Sequence, residues 1–345
     1  MAVTIKQIAE MAGVSTGTVD RALNNRGRVS PQVAERVRKI ARELDYHPNA
    51  IAKSLSIRRQ NLRIAVISNV TGNQFADIVL SGVTLAADEL RASGFAVDIM
   101  PCKDFDAADQ ARLIDEAVDK GYSGIVLIPQ NDEAIRSRVT ALTERGFPVI
   151  LLTSVIEGAA FLAYVGCNYK YSSQIACGIM NQITKGDVEA GLMISNLHNW
   201  SNQQRLAHIK EYMARKYPRI RIAHVLEMPN DDIHSYLAAK EFLNACPGMQ
   251  ALIYCSGAVS GGLQAVLEQY NESPFTILCF DYTPSIRQAL IEGKIPFTIA
   301  QNPKEQGYRA LKLMAEHFVD HKPMRNEYIY INTEIMVRES IKERP

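Results

Sequence analysis

The chain has 345 residues, 47% of them apolar, so it is longer than one compact core usually holds and rich enough in apolar side chains to fill more than one; a disordered chain is excluded. Its formal charge of +1 conceals an asymmetry, because residues 1–60 hold eleven Lys and Arg against five Asp and Glu, a net +6 that leaves −5 for the remainder. Clustered charge steers association more than total charge does, so the basic end points to a polyanion partner at that end alone, with a merely solvated surface as the plainer alternative.

Thr4-Ile5-Lys6-Gln7 fits a capping box, in which the Thr4 hydroxyl satisfies a free backbone N–H and Gln7 reaches back to the cap. The helix starting there carries Ile5, Ile8, Ala9 and Ala12 on one side. It ends at Gly13, the residue best able to take the left-handed conformation that closes a helix. Ser15 then caps a second helix, with Val19, Ala22 and Leu23 inward and Thr16, Thr18, Arg21 and Asn25 outward or at its end. Ser30 as cap, Pro31 in the first turn and apolar Val33, Val37, Ile40, Ala41 and Leu44 signal a third. Two helices across so short a turn make a helix-turn-helix candidate, a pattern that a small structural bundle shares.

The residues themselves narrow this. Val3 through Ser15, then Thr18-Val19, Arg21, Leu23-Asn24, Val29-Ser30, Val33, Val37 and Leu44 through Ala50 together resemble the DNA-binding headpiece of the lac/gal repressor family of transcriptional regulators. The resemblance implies that the helix from Thr16 to Asn24 enters the major groove of double-stranded operator DNA. Thr16 and Gly17 then occupy base-reading positions, Arg21 has the fork that bonds guanine bidentately, and Thr4, Ser15, Thr18 and Asn24 suit phosphates. Gly17 has no side chain where family members often read a base. Asp20 puts an acid where a small hydroxyl is usual, either accepting from a cytosine amino group or pointing to solvent.

Pro48 disfavours helix at His47, so the third helix is expected to stop near Tyr46. Residues 49–56 hold no Gly or Pro and can form about two helical turns, too few to be stable alone. The family resemblance implies a hinge helix here that pairs with its copy in the minor groove. In that picture Asn49, Ala52 and Lys53 lie at the DNA and Leu55, in the arrangement Ala52-Lys53-Ser54-Leu55, wedges between base steps. A plain polar linker is the alternative.

From Leu62 strands and helices alternate. Apolar runs at 64–67, 96–100, 124–128, 149–152, 163–165, 191–194, 222–226, 252–255, 277–280 and 297–300 read as strands of parallel sheets covered on both faces, and their number favours two α/β subdomains with a cleft between facing strand ends. Six cysteines, Cys102, Cys167, Cys177, Cys246, Cys255 and Cys279, show no zinc spacing and lie mostly in apolar runs; without a signal peptide they read as buried reduced thiols of a cytoplasmic protein. No apolar stretch approaches the roughly 20 residues of a membrane span, and no metal or cofactor is expected.

This part is similar to the type I periplasmic-binding-protein-like sensor of the same family. The expected architecture is an all-α helix-turn-helix headpiece (1–46), a hinge and linker (47–61) and an α/β sensor of two parallel-sheet subdomains (62–345), the first about 62–165 and 302–323, the second about 166–301 and 324–345. Asn202-Gln203-Gln204-Arg205-Leu206 resembles the family's ligand-facing arginine segment, Cys279-Phe280-Asp281-Tyr282 its Gly-Phe-Asp segment, and Ala300-Gln301-Asn302-Pro303 its Gln-Asp-Pro turn. The effector candidates are Asn73, Phe75, Ser154, Trp200, Arg205, Ser256, Asp281 and Gln301. Asp281 would accept hydroxyl hydrogen bonds, Arg205 and Gln301 would donate, and Phe75 or Trp200 would lie against the apolar face of a sugar.

Plainer roles exist for these residues: a surface ion pair for Arg205, a helix cap for Asp281, core packing for Trp200. Thr153-Ser154, Cys167-Asn168 and Ser256-Gly257 depart from the family pattern, so the common hexose pose is not assumed. The helix from Phe75 to Leu90, with Ile78, Val79, Gly82, Val83 and Ala86 close together, is more apolar than a solvated face needs, and the resemblance implies that this region helps form a homodimer. The reading is a DNA-binding regulator, most naturally a repressor, controlled by a sugar or polyol. The alternatives are a regulator with a non-sugar effector such as a nucleobase, or a solute-binding protein or enzyme built on the same body. No phosphate loop, nucleophile elbow, zinc spacing or dinucleotide fingerprint supports catalysis.

Overall fold

The structure, a computed structural model, describes residues 3–23, 29–44, 46, 58–68, 74–103, 106–197, 199–229, 231–255, 260–270, 275–320 and 324–341. The expected hinge helix, with Asn49, Ala52, Lys53 and Leu55, and the candidates Asn24, Asn73 and Ser256 lie outside the described residues.

Helices α1 (Ile5–Ala12), α2 (Thr16–Leu23) and α3 (Pro31–Glu43) form the basic end. The capping box closes as the residue types demand: Gln7 N–H donates to Thr4 Oγ1 at 3.3 Å while the Thr4 N–H donates to Gln7 Oε1 at 2.8 Å. Gly13 ends α1 in the left-handed conformation at φ +65°. Ser15 and Ser30 accept from the backbone of Thr18 and Val33 and so start the next two helices. Ile8, Val19 and Val37 are fully buried where the three meet, and each such side chain is worth about 1.5–3 kcal/mol of apolar burial.

The body contains two six-stranded sheets. The first uses β1 (Arg63–Ser68), β2 (Ala96–Pro101), β3 (Gly124–Ile128), β4 (Val149–Leu152), β5 (Ala163–Gly166) and β11 (Glu327–Tyr330), in the order β11-β5-β4-β3-β1-β2 and parallel throughout. The second uses β6 (Val188–Ser195), β7 (Ile220–Met228), β8 (Ala251–Tyr254), β9 (Thr276–Phe280), β10 (Thr298–Ala300) and β12 (Glu334–Met336), in the order β12-β10-β9-β8-β6-β7, with only β12 antiparallel. Central strands such as Gly124–Ile128 are buried along their whole length because helices cover both faces, which is why they read as continuous apolar runs. The covering helices are α4 (Gln74–Ala92), α5 (Ala107–Asp119), α6 (Glu133–Glu144), α7 (Tyr169–Ile183), α8 (Trp200–Lys216), α9 (Asp232–Ala245), α10 (Ser260–Gln269), α11 (Pro284–Ile291) and α12 (Pro303–Asp320).

The chain passes from the first sheet to the second after Gly166, and helix α12 returns it to the first, where Leu311 and Met314 pack with Ile64 and Val66. Residues 324–345 were expected in the second subdomain, and here the structure differs. Tyr328 pairs with Tyr164 in the first sheet, and only Glu334–Met336 joins the second. The alternating, half-exposed β11 lies on a sheet edge and lacks the solid apolar run by which the other strands are recognised.

The apolar stripe of α4 also has a different use from the one expected. Val79, Gly82, Val83 and Ala86 are buried against α12, so closely that a Cβ on Gly82 would overlap the Lys304 carbonyl and one on Gly307 the Val79 carbonyl. That stripe is the lobe's own core and does not argue for a dimer, although Leu85 on the same helix is 45% exposed.

Candidate functional site

In the headpiece, Thr4, Ser15, Thr16 and Gly17 are exposed, and Thr16 and Gly17 open the first turn of α2. A Cβ on Gly17 would meet only the Ser15 hydroxyl, at 3.9 Å, so the position faces open space. The Ser15 and Thr18 hydroxyls bond to each other at 2.9 Å, and Arg21 Nη2 donates to Thr18 Oγ1 at 3.3 Å. Arg21 is thus held along α2 by Thr18, an arrangement that residue spacing does not disclose.

The effector candidates gather at the carboxyl ends of strands. Asp281 follows β9, Gln301 follows β10, Ser154 follows β4, and α8 after β6 brings in Trp200 at its first residue and Arg205 in its second turn. Arg205 is no surface residue. Its guanidinium is buried over the Phe280 ring at 4.4 Å, and Nη1 donates to the Cys255 carbonyl at 2.9 Å. Burial works against the Arg205 charge, but the charge of Asp281 and the smaller influences of Cys255, Tyr169 and Cys167 outweigh it and raise its pKa above the ordinary arginine value.

The N-cap position of α11 belongs to Thr283 and not to Asp281. Asp281 sits in the left-handed region at φ +73°, is buried, and takes a hydrogen bond from the Gln301 side-chain amide. Gln301 therefore presents its carbonyl oxygen, where a donor had been expected; that oxygen is buried and has no partner among the described residues. Gln306 donates to the Gln301 backbone carbonyl at 2.8 Å and holds it from behind.

Ser154 and Trp200 link the two lobes. Ser154 Oγ donates to Asn199 Oδ1 at 3.0 Å, and Trp200 Nε1 donates to Glu157 Oε1 at 3.0 Å, with the Trp200 ring edge-on to Tyr169 at 6.0 Å. Trp200 is half-buried against the first lobe, so packing and a rim position are both realised. Phe75 is half-buried against the core of the first lobe. At the segments where the sequence departs from the family pattern, Thr153 and the residue after Cys167 have structural uses. The Thr153 carbonyl, on a backbone at φ +62°, accepts from Tyr169 Oη at 2.6 Å, and Asn168 caps α7 by accepting from the Tyr171 N–H.

Sequence reasoning missed Asn199, Tyr169 and Thr283, whereas Gln74 stands beside the candidates Asn73 and Phe75 in the loop after the first strand. Asn199 carries a legible signal, since an Asn just before an apolar-periodic stretch reads as a helix cap. Tyr169 is joined to the site by contacts distant in sequence, and Thr283 follows Asp281 by two residues but stands out only by its missing cap bond.

Two lobes meeting at their strand ends around a buried Arg–Asp pair, joined in one chain to a helix-turn-helix headpiece, define a DNA-binding protein with a ligand-binding body. Residues 4–49 match the family described as bacterial regulatory proteins, lacI family, and residues 64–322 match the periplasmic binding protein domain. The chain belongs to the lacI family of regulatory proteins and carries a periplasmic-binding-protein-like effector domain. It is 27% identical over 351 residues to a Bacillus subtilis (strain 168) protein described as "Probable HTH-type transcriptional repressor ExuR", covering 99% of this chain and 98% of the relative. It is 23% identical to the ribose operon repressor of Haemophilus influenzae, covering 98% of each. In fold the body is similar to GanP, a glucose-galactose binding protein from Geobacillus stearothermophilus, at a TM-score of 0.72, 22% identity, 81% of this chain and 98% of that one. The chain is a DNA-binding transcriptional regulator. Among the described residues no helix is long and apolar enough to cross a membrane.

Proposed function

We propose that this regulator works as a cytoplasmic homodimeric repressor, each headpiece reading one half-site of a two-fold operator, with a sugar or polyol bound between the lobes setting operator affinity. The observation that carries the reading is the buried set of Arg205, Asp281 and Gln301 at the strand ends of the second lobe, with Ser154 and Asn199 bonded across from the first. A few convergent polar groups held by a rigid scaffold are what a small hydroxylated ligand requires. Thr16, Gly17 and Arg21 would read bases, Thr4, Ser15, Thr18 and Asn24 phosphates, and Asn49, Ala52, Lys53 and Leu55 the hinge contacts. Asn73, Phe75 and Ser256 are proposed to complete the effector site with Trp200. Allosteric control follows if the ligand binds one lobe arrangement better than the other, because operator affinity then changes by the same coupling free energy.

The test is fluorescence anisotropy on operator DNA with and without sugars and polyols that raise the melting temperature in a thermal-shift screen. Operator affinity should fall steeply with salt, and a stabilising carbohydrate should change it. A flat salt response would sink the phosphate-reading headpiece. Stabilisation by a nucleobase alone would move the effector out of the sugar class.

A further inference from the structure

A buried arginine and a buried aspartate occupy the strand ends of the second sheet. Arg205 and Asp281 are both buried there, each offsetting the other. Burial holds the neighbouring thiols and phenols in their neutral forms, pushing Cys255 up to about 12 and raising Cys167 and Tyr169. Other carboxylates along the strand ends are engaged: Asp132 caps α6, Asp231 caps α9, Asp232 accepts from Ser260 Oγ, Glu157 accepts from Trp200, Glu227 accepts from the Leu197 N–H at 2.7 Å, and Glu334 accepts from the Asn302 side chain. Residues 69–73 and 256–259, which follow β1 and β8, contain no charged side chain. An added carboxylate or phosphate would leave a net buried charge, which is costly where water is excluded.

Two oxygens near the pair are unused. The bond from the Gln301 amide to Asp281 settles which end of that side chain is oxygen, and Gln301 Oε1 is buried without a partner among the described residues. Thr283 occupies the N-cap of α11, where a hydroxyl ordinarily accepts from the first turn. It makes no capping bond, is 1% exposed, and its Oγ1 has no partner among the described residues. Arg205 Nε is likewise a buried donor without a partner among them. Buried polar atoms of this kind are ordinarily satisfied, so Gln301 Oε1 on the side chain bonded to Asp281, Thr283 Oγ1 two residues along the chain from Asp281, and Arg205 Nε point to something that satisfies them.

We propose that the cleft takes an uncharged polyhydroxylated ligand whose O–H groups donate to Gln301 and Thr283, that Thr283 is a ligand-selecting residue, and that uronates, aldonates and sugar phosphates are rejected. This rests on the sugar or polyol reading above and narrows it.

The test is isothermal titration calorimetry on the full chain with matched probes: glucose against glucuronate and glucose 6-phosphate, galactose against galacturonate, ribose against ribonate, and myo-inositol. A neutral member should bind at least about tenfold tighter than its charged partner. Asp281→Asn leaves the Arg205 charge uncompensated and should narrow or reverse that ratio. Thr283→Val should weaken the neutral ligand about tenfold with an unchanged or raised melting temperature, because a buried unpaired hydroxyl is removed. A purely structural hydroxyl would instead lower the melting temperature and leave affinity alone, which overturns the role of Thr283. A charged member binding more tightly than its neutral partner overturns the charge argument and leaves a carbohydrate effector standing. Failure of every carbohydrate while a nucleobase binds removes the sugar reading with it. Should Asp281→Asn not fold, the wild-type ratios and Thr283→Val still decide.

Discussion

Gln74 and Ser285, 211 residues apart, hydrogen bond across the two lobes: Gln74 Nε2 donates to Ser285 Oγ at 2.9 Å, while the Ser285 N–H donates to Gln74 Oε1 at 3.4 Å. Each residue lies in the first turn of its helix, α4 on the first lobe and α11 on the second, and α11 begins right after Thr283. The bond therefore ties the entry of the first lobe's main helix to the strand-end segment that carries Asp281.

Ser285→Ala removes that tie and should destabilise the bonded lobe arrangement by about 1 kcal/mol, the net worth of an ordinary hydrogen bond. If the effector prefers this arrangement, its dissociation constant rises about fivefold while the melting temperature of the unliganded protein hardly moves. Titration calorimetry of the variant with the best-binding carbohydrate decides the matter. Unchanged affinity would mean that the contact takes no part in closure.

Where α4 crosses α12, Gly82 and Gly307 let two backbones approach, and a methyl at either position would overlap the facing carbonyl. Gly82→Ala and Gly307→Ala should each cost about 1–3 kcal/mol, in the range of overpacked cores, although alanine is the better helix former. Urea unfolding measures it, and a variant as stable as wild type would contradict the packing.

Why some of this was legible in the chain and some was not comes down to range. Thr4 with Gln7, Gly13 and Ser30 with Pro31 act within one turn, so their roles can be read from residue types at fixed spacing. The apolar runs of the central strands are equally local, since burial on both faces leaves no polar alternation. Tyr328 and Tyr330 are themselves exposed and alternate with half-buried Glu327 and Ile329 on an edge strand, and the pairing of β11 with β5 joins residues more than 160 positions apart. In the site, Arg205, Asp281 and Gln301 stood out by family resemblance, but the direction of the Gln301 amide depends on its bond to Asp281, and the idle hydroxyl of Thr283 depends on how α11 begins. Those are facts of three-dimensional placement.

All six cysteines are free and buried. Burial raises Cys177 and Cys255 to about 12 against an ordinary value of 9.0. Both thiols are thus more readily ionised in the unfolded chain. Their contribution to stability is full below the ordinary value and is lost as pH rises from there toward about 12. The melting temperature should decline across that window. Iodoacetamide at about pH 8.5 should leave the native thiols unlabelled and modify them on unfolding. Prompt labelling of Cys177 or Cys255 in the native protein would contradict their burial.

At the DNA-facing end, Gly17 occupies an exposed position in the first turn of α2 with no neighbour nearer to a new Cβ than the Ser15 hydroxyl at 3.9 Å. Gly17→Ala should therefore not clash, and by limiting the unfolded chain and favouring helix it should stabilise the headpiece by about 0.5–1 kcal/mol. If α2 reads the major groove, the new methyl lies among base edges, where an apolar group favours a thymine methyl. The variant should then shift preference at one base pair of each half-site, by about 1–3 kcal/mol, with its salt dependence unaltered because no phosphate contact changes. Selection from a randomised half-site library, alongside thermal melts of the full chain, tests both parts. A stabilised variant with an unchanged base preference would move Gly17 out of the base-reading set, whereas a destabilised one would contradict the open space around it.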